Sequence, residues 1–316
     1  MRAMTAEAAN RPRDCERAFV RLREGLLHYR HVGDQAEAGS AGAAHGRRPI
    51  WMMHASPASS RSLEPLVLEL ANRHGRRVFA PDTPGNGDSA ALSPPPALAG
   101  GSAEPELGDY ADAFVRAMDA LRIEQVDLYG FHTGAHIAIE MALAFPDRVG
   151  RLVLDGLLWL EEGERAEFLA HYAPPLRPDA NGTQVFTALQ FIRDQAWFFP
   201  HFRRDSAHNL GGGAMPPELL HALTVDLLKA AETYHFAYRA VFRHRLEERL
   251  PRLGAQPAML MADASDPTRG AVARAAAIVP GARSTVLAES WSPEGVARKA
   301  ATIVEFLDGR ISRTRT

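Results

Sequence analysis

The chain has few of the features that would place it in several common protein classes. It contains one cysteine, Cys15, which excludes an internal disulfide framework and a cysteine-rich metal site. Its apolar runs are interrupted by His, Glu or Arg before reaching the roughly 18 residues that a membrane-spanning helix needs. Residues 1–13 have no apolar core of the kind found in secretory signals. We therefore expect a cytoplasmic protein with no membrane partner.

An excess of charge of one sign is also lacking. The 36 Lys+Arg residues nearly balance the 38 Asp+Glu residues, for a formal net charge of −2. A nucleic-acid-binding protein needs surplus positive charge to offset phosphate, so we expect no nucleic-acid partner. The 316 residues are 46% hydrophobic and 23% charged, which is typical of a globular protein with a substantial core.

Short apolar segments alternate with helical patterns along most of the chain. Two strands are expected within 17–32, and six more at 50–55, 76–82, 126–130, 151–156, 257–263 and 284–289. Helical spacing occupies 63–71, 110–121, 135–145, 268–278 and 294–308. This alternation predicts an α/β fold with a doubly wound, mostly parallel, eight-stranded sheet.

The alternation stops between residues 157 and 250, where the pattern is helical throughout and rich in aromatic residues. We interpret this stretch as a helical lid inserted into the α/β core. The predicted organisation is a flexible tail at 1–16, a core formed by 17–156 and 251–310, and a lid at 157–250.

Four local motifs occur in a recognisable order. They are His54-Ala55-Ser56-Pro57, the loop Pro81 to Ser89, the strand-to-helix turn Gly130-Phe131-His132-Thr133-Gly134, and Asp266 after the strand at 257–263. Together they resemble the α/β-hydrolase fold superfamily, in the subgroup with a helical lid, over about residues 17–308. The resemblance implies an active site at a sharp turn, with an oxyanion hole formed by the backbone N–H groups of Ser56 and Thr133.

The chain departs from the family pattern at two positions. His132 occupies the nucleophile position, where the family usually has Ser, Asp or Cys. The triad histidine expected after the last strand is also missing, because residues 289–292 read Glu-Ser-Trp-Ser and no histidine follows His244. A Ser-His-Asp triad in the usual positions is therefore impossible. A serine hydrolase that uses Ser290 or Ser292 instead has no positional support.

An imidazole at this turn could act as a base, an acid or a nucleophile, because its usual pKa lies near working pH. Asp266, in the usual position of the triad acid, and Asp155, at the end of the sixth strand, are both candidate partners of His132. Each could equally have a local structural role, as a helix cap or in a turn. We expect neither a cofactor nor a metal, since His132 and His136 lack the Glu of a zinc motif.

The aromatic residues of the lid suggest an apolar pocket, although they could equally form the lid's own core. The candidate pocket residues are His54, Trp159, Trp197, Phe198, Tyr234, Tyr238 and Trp291. His54 has an alternative role in bracing loops.

Two hypotheses follow. The first is a cofactor-independent enzyme acting on a small, largely apolar carbonyl compound, by ester or lactone hydrolysis or by lyase-type proton transfer. The second is an inactive pseudo-hydrolase that serves as a ligand-binding or interaction protein. The sequence leaves open whether the protein forms a homodimer.

Overall fold

A computed structural model describes residues 13–33, 47–92 and 104–309 of the chain. Its centre is one eight-stranded sheet with the strand order β1-β2-β4-β3-β5-β6-β7-β8. β1 and β2 pair antiparallel, as do β2 and β4, and the remaining neighbours are parallel. The strands are β1 (Glu16–Leu22), β2 (Gly25–Val32), β3 (Ile50–Met53), β4 (Val78–Pro81), β5 (Val126–Phe131), β6 (Val149–Asp155), β7 (Ala258–Asp263) and β8 (Arg283–Leu287).

Ten α-helices lie in the described ranges. They are α1 (Glu64–Asn72), α2 (Leu107–Ala120), α3 (Thr133–Ala144), α4 (Glu162–His171), α5 (Thr183–Gln195), α6 (Pro217–Lys229), α7 (Tyr234–Arg243), α8 (Leu246–Arg249), α9 (Gly270–Ile278) and α10 (Pro293–Leu307). No helix in these ranges is both long enough and apolar enough to cross a lipid bilayer.

The central strands are buried on both faces, which explains their continuous apolar runs. In β3, Ile50 and Met52 belong to the apolar cluster that α1 and α10 form on one face of the sheet, whereas Trp51 and Met53 belong to the larger cluster on the other face, which includes α2 and α3. The eight-stranded, doubly wound sheet predicted from the alternation is confirmed. Because the central strands are parallel, their carboxyl ends meet at one edge of the sheet.

Helices α4 to α8 stand between β6 and β7, where the sequence predicted the lid; we refer to residues 157–250 as the insertion. It is not helical throughout, because residues 196–216 contain no helix. Pro200, the run Gly211–Gly213 and Pro216 interrupt helix formation there. At the other end of the chain, β1 begins at Glu16, inside the predicted tail, and residues 1–12 lie outside the described ranges.

Candidate functional site

The turn between β5 and α3 presents His132 at the carboxyl edge of the sheet. His132 has φ 47° and ψ −109°, a backbone conformation that residues other than glycine rarely adopt. The turn can be this tight because its flanking residues lack side chains. A Cβ at Gly134 would collide with the carbonyl of Met53, and one at Gly130 with the carbonyl of Gly134. The sequence pattern therefore produces the sharp turn for a steric reason.

The imidazole of His132 pairs with the carboxylate of Asp266, which follows β7. Nε2 of His132 lies 2.9 Å from Oδ2 of Asp266. The other carboxylate oxygen accepts hydrogen bonds from the backbone N–H and the hydroxyl of Thr268, both at 2.7 Å. Asp266 is thus held by its own loop while it contacts the ring.

A glycine at the end of the intervening strand makes this pairing possible. β6 lies between β5 and β7 in the sheet, and Gly156 follows it. A Cβ at Gly156 would lie 3.0 Å from Nε2 of His132 and 3.2 Å from Oδ2 of Asp266. A side chain at this position would crowd the two groups where they meet.

The two groups shift each other's pKa in opposite directions. Burial alone would lower the pKa of His132, but the adjacent Asp266 carboxylate outweighs burial and raises it above the usual 6.5. Burial alone would raise the pKa of Asp266, but His132 and Thr268 hold it well below its usual range. Asp266 is therefore ionised near neutral pH and accepts the proton on Nε2 of His132.

The second ring nitrogen of His132 is free to bind a ligand. With the proton on Nε2, Nδ1 carries the lone pair, and no residue in the described ranges hydrogen-bonds it. The side chain is 30% exposed, so the ring can be reached from outside. Phe131 packs edge-on against it with ring centroids 4.3 Å apart. The arrangement presents a basic nitrogen beside an apolar wall.

The side chain of Asp155, the other candidate partner, has different partners. It is fully buried and accepts hydrogen bonds from the Tyr129 hydroxyl at 2.7 Å and from Lys299 Nζ at 2.8 Å. Asp155 contacts His132 through its backbone carbonyl, which accepts the His132 N–H at 2.8 Å. Its carboxylate influences the imidazole only at longer range.

The two N–H groups expected to form an oxyanion hole differ in availability. The N–H of Thr133, at the start of α3, has no hydrogen-bond partner within the described part of the chain. The N–H of Ser56 donates to the hydroxyl of Thr133 at 3.1 Å. One donor is thus free for a ligand oxygen, and the other is occupied by a neighbouring side chain.

Two of the candidate pocket residues have contacts that lead directly to this turn. Trp291 is 41% exposed and packs 5.0 Å from the ring of Phe131. Tyr238 of the insertion donates its hydroxyl to the carbonyl of Ser56 at 2.7 Å. These contacts place both aromatic residues next to the elements that carry His132 and Thr133.

The remaining candidates have contacts elsewhere. Tyr234 is buried and bonds the carbonyl of Pro174, and Trp159 stacks on Arg274 at 4.3 Å. Trp197 and Phe198 lie in the irregular part of the insertion, where Phe198 pairs with Asn209. Nδ1 of His54 contacts the carbonyl of Ala55 at 2.9 Å, and its Nε2 accepts the N–H of Thr83 at 2.8 Å.

Sequence reasoning missed three residues that shape the site. Thr268 could have been found, because Asp-x-Thr is a spacing that allows the side chain to bond the N–H two residues later. Gly156 and Lys299 carry no such local signal. Their positions become meaningful only once β6 and α10 are placed beside His132.

One group of metal-ligand type lies outside this site, and its ligand atoms are already engaged. His28, Asp82 and Asp88 cluster together, with His28 Nδ1 2.8 Å from Asp82. Arg17 bonds both His28 and Asp88, and Lys229 also bonds Asp88. Cationic side chains thus neutralise the cluster.

Two surface concavities, of about 550 and 290 Å³, also lie away from His132. The larger is formed around Arg122 and Arg148, at the opposite end of β5, and the smaller around Arg243 and Arg249. The chemistry of the His132–Asp266 pair, rather than the size of a concavity, therefore identifies the candidate site.

Comparison with curated proteins finds related hydrolases. The chain is 37% identical over 142 residues to a 2-hydroxy-6-oxononadienedioate/2-hydroxy-6-oxononatrienedioate hydrolase of Pseudomonas putida, covering 44% of each chain. It is 40% identical over 114 residues to a 2-hydroxymuconate semialdehyde hydrolase of Pseudomonas sp. strain CF600, covering 34% of this chain and 36% of that one. These matches span less than half the length of the relatives.

Solved structures share the fold over nearly the whole chain. Epoxide hydrolase A from Mycobacterium thermoresistibile matches with a TM-score of 0.68 at 18% identity, covering 94% of this chain and 99% of its own. A hydrolase from Pseudomonas aeruginosa PA01 matches with a TM-score of 0.62 at 22% identity, covering 92% and 98%. The family model for the alpha/beta hydrolase fold matches residues 48–210, just over half of the chain. With its sheet, its sharp β5–α3 turn and this match, the chain belongs to the α/β-hydrolase fold family.

Proposed function

We propose that the chain is an enzyme in which His132, held by Asp266, acts as a general base on a small, largely apolar carbonyl compound without a cofactor. The supporting observation is the 2.9 Å contact between Nε2 of His132 and Asp266, which leaves Nδ1 free and basic. Such a pair orients an imidazole and stabilises its protonated form.

The reaction begins with transfer of a proton to Nδ1 of His132. The proton comes from a carbon next to the substrate carbonyl or from a water molecule that adds to the carbonyl carbon. Asp266 remains ionised and stabilises the imidazolium. The free N–H of Thr133 donates to the oxygen on which negative charge develops. The imidazolium then returns its proton to the product or to the leaving group.

A base explains the site better than a nucleophile. Attack by His132 on a carbonyl would form an acyl-imidazole, and its hydrolysis would benefit from a second base that activates water. Asp266 contacts the opposite ring nitrogen, and no histidine follows His244 in the sequence. The site therefore supports proton transfer by one imidazole more directly than acyl transfer.

The names of the relatives support a carbonyl substrate. They are hydrolases of compounds that carry hydroxy and oxo groups, and several of these compounds are dicarboxylates. Trp291 and Phe131 supply an apolar surface beside His132 on which the carbon skeleton of such a compound could pack. Hydrolysis by base-activated water would keep the reaction class of the relatives with a different residue at the turn.

The test is a screen of p-nitrophenyl esters, lactones and β-keto acids against the wild type and two variants. We expect His132→Ala to lower kcat/KM by about 10²- to 10⁴-fold, the usual contribution of a general base. His221→Ala, which removes an exposed imidazole on α6, is the matched control and should retain full activity. Full activity in His132→Ala would disprove the proposal.

One observation favours a ligand-binding protein as the second candidate. Because the Thr133 hydroxyl occupies the N–H of Ser56, only one of the two expected oxyanion donors is free. This candidate predicts tight binding of a carbonyl compound without turnover. It also predicts that His132→Ser leaves the affinity unchanged, which calorimetry would measure.

A further inference from the structure

A buried histidine on α3 contacts both the segment through which the chain enters the insertion and a segment near its end. His136 lies on α3, one turn after His132, and is fully buried. Leu158, shortly after β6, donates its N–H to Nε2 of His136 at 3.2 Å. His244, which directly follows α7, places its Nδ1 2.8 Å from Nδ1 of His136. One imidazole of the core thus bonds residues near both ends of the insertion.

The hydrogen bonds define where the protons lie. Because Nε2 of His136 accepts the Leu158 N–H, the His136 proton is on Nδ1 and is donated to the bare Nδ1 of His244. The His244 proton is then on Nε2, which lies 2.9 Å from Oε1 of Glu140. In this arrangement both rings are neutral, and every ring nitrogen has a partner.

The end of this chain of hydrogen bonds is a fixed acceptor. Arg249 of α8 also bonds Glu140, with its Nε 2.7 Å from Oε1. Burial alone would raise the pKa of Glu140, but the hydrogen bonds from His244 and Arg249 lower it to about 2. Glu140 therefore stays ionised across the whole range in which histidines titrate.

The closed arrangement has no place for an additional proton. A proton on Nε2 of His136 would face the Leu158 N–H, and one on Nδ1 of His244 would face the proton on His136. A positive charge on His136 would also be repelled by His132, directly before α3, and by Arg165 on α4. Burial together with these groups holds the pKa of His136 well below its usual value.

We propose that His136 and His244 form a clasp that holds the insertion on the core while both rings are neutral. In the open form, the hydrogen bonds of His136 to Leu158 and His244 are broken, so the released imidazole can bind a proton and acid favours this form. The His136 imidazole, once released to solvent, regains a pKa of about 6.5. By linkage, the ratio of open to closed molecules rises about tenfold per pH unit below that value for each proton bound.

The clasp bears on the site because the insertion contacts the loop beside the turn. Tyr238 of α7 bonds the carbonyl of Ser56, and Ser56 in turn bonds Thr133. Breaking the hydrogen bond between His136 and His244, directly after α7, would loosen the contact of Tyr238 with Ser56. His136 and His244 are therefore positioning residues that act through α7 and α3.

The Leu158 amide reports directly on the clasp. Its hydrogen-exchange protection factor, which is already normalised by the intrinsic exchange rate at each pH, should fall at least about eightfold between pH 6 and pH 5. The amide of Gly156, two residues earlier, donates to the carbonyl of Met261 at 2.9 Å and involves no histidine. Its protection factor should not change over the same range.

The matched variant is His136→Gln/His244→Gln, because a glutamine amide can donate and accept in the same places without titrating. In this variant the Leu158 protection factor should be independent of pH. A Leu158 protection factor that does not change with pH in the wild type would overturn the proposal, as would an equal fall at Gly156. The proposal would also fail if the Leu158 protection factor of the double variant depended on pH as strongly as that of the wild type. If the double variant does not fold, the comparison of Leu158 with Gly156 still decides. The readout needs no substrate, so it is independent of the proposed activity.

Discussion

His132 combines in one residue two positions that a triad enzyme keeps separate. It stands where a nucleophile would stand, and it contacts the acid that a separate histidine would contact. The imidazole reaches Asp266 because both groups project from the same edge of the sheet and Gly156 leaves the space between them open. At the residue scale, the pair therefore predicts a shifted titration of His132.

Asp266→Asn should lower the pKa of His132 from its raised value, because the adjacent negative charge is lost while burial, which lowers the pKa, persists. The acid limb of the pH profile of kcat/KM should move to lower pH for the same reason. NMR titration of the imidazole Cε1 proton measures the shift directly.

Asp263→Asn is the control for this titration. It also removes a buried carboxylate at the end of β7, but Asp263 accepts its hydrogen bonds from Ser265 and Ser290, and the imidazole pairs with Asp266 instead. Its His132 titration should match the wild type. An unchanged His132 pKa in Asp266→Asn would contradict the assigned pairing.

At the scale of elements, α10 is attached to the sheet through a buried ion pair. Lys299 of α10 is 1% exposed and bonds Asp155 at the end of β6. Its ammonium also lies 3.9 Å from the ring centroid of Trp291, in the segment before α10. The pair therefore connects β6, α10 and the β8–α10 segment behind His132.

Lys299→Met should destabilise the protein by about 3–5 kcal/mol, because it leaves the Asp155 carboxylate buried without its cation. The other lysine of the chain, Lys229, is the natural control. It pairs with Asp88 at the surface and is 39% exposed, so Lys229→Met should cost about 1 kcal/mol or less. Urea denaturation measures the loss in free energy of unfolding for both variants. Equal losses would contradict a larger contribution from the buried Lys299–Asp155 pair.

At the scale of the whole molecule, carboxylates on several segments of the fold are held in their ionised form. Burial opposes ionisation of Asp82, Asp266 and Glu140, but hydrogen bonds and nearby cationic groups lower the pKa of each. They lie on the loop after β4, after β7 and on α3, so three different segments contribute to this effect.

The free energy of unfolding should therefore fall as pH decreases from about 5 towards 2. In this window the unfolded chain binds protons that the folded carboxylates resist, so acid favours unfolding. His132 has the opposite sign: its raised pKa adds stability below about 6.5, which is lost as pH rises through the raised value. Urea titrations at pH 7, 5, 4 and 3 test this, and constant stability between pH 5 and pH 3 would contradict it.

Much of the fold could be predicted from the sequence because its signals are local. Apolar runs indicated the strands, helical spacing indicated α1, α2, α3, α9 and α10, and small residues around His132 indicated the sharp turn. The helical reading of 196–216 was wrong, because aromatic content there outweighed the proline and glycine signals. The absence of a C-terminal triad histidine was likewise visible in the sequence alone.

The sequence by itself thus determined the sheet, the turn and the identity of the residue at its tip. Only the tertiary structure decided which acid that residue contacts, since both Asp155 and Asp266 follow strands that end at the same edge of the sheet, but only the Asp266 side chain pairs with the imidazole. The same holds for the occupied N–H of Ser56 and for the contacts of His136. Hydrophobic periodicity depends on neighbours a few residues apart, whereas these pairings join segments from about 20 to more than 130 residues apart and depend on the direction of each side chain.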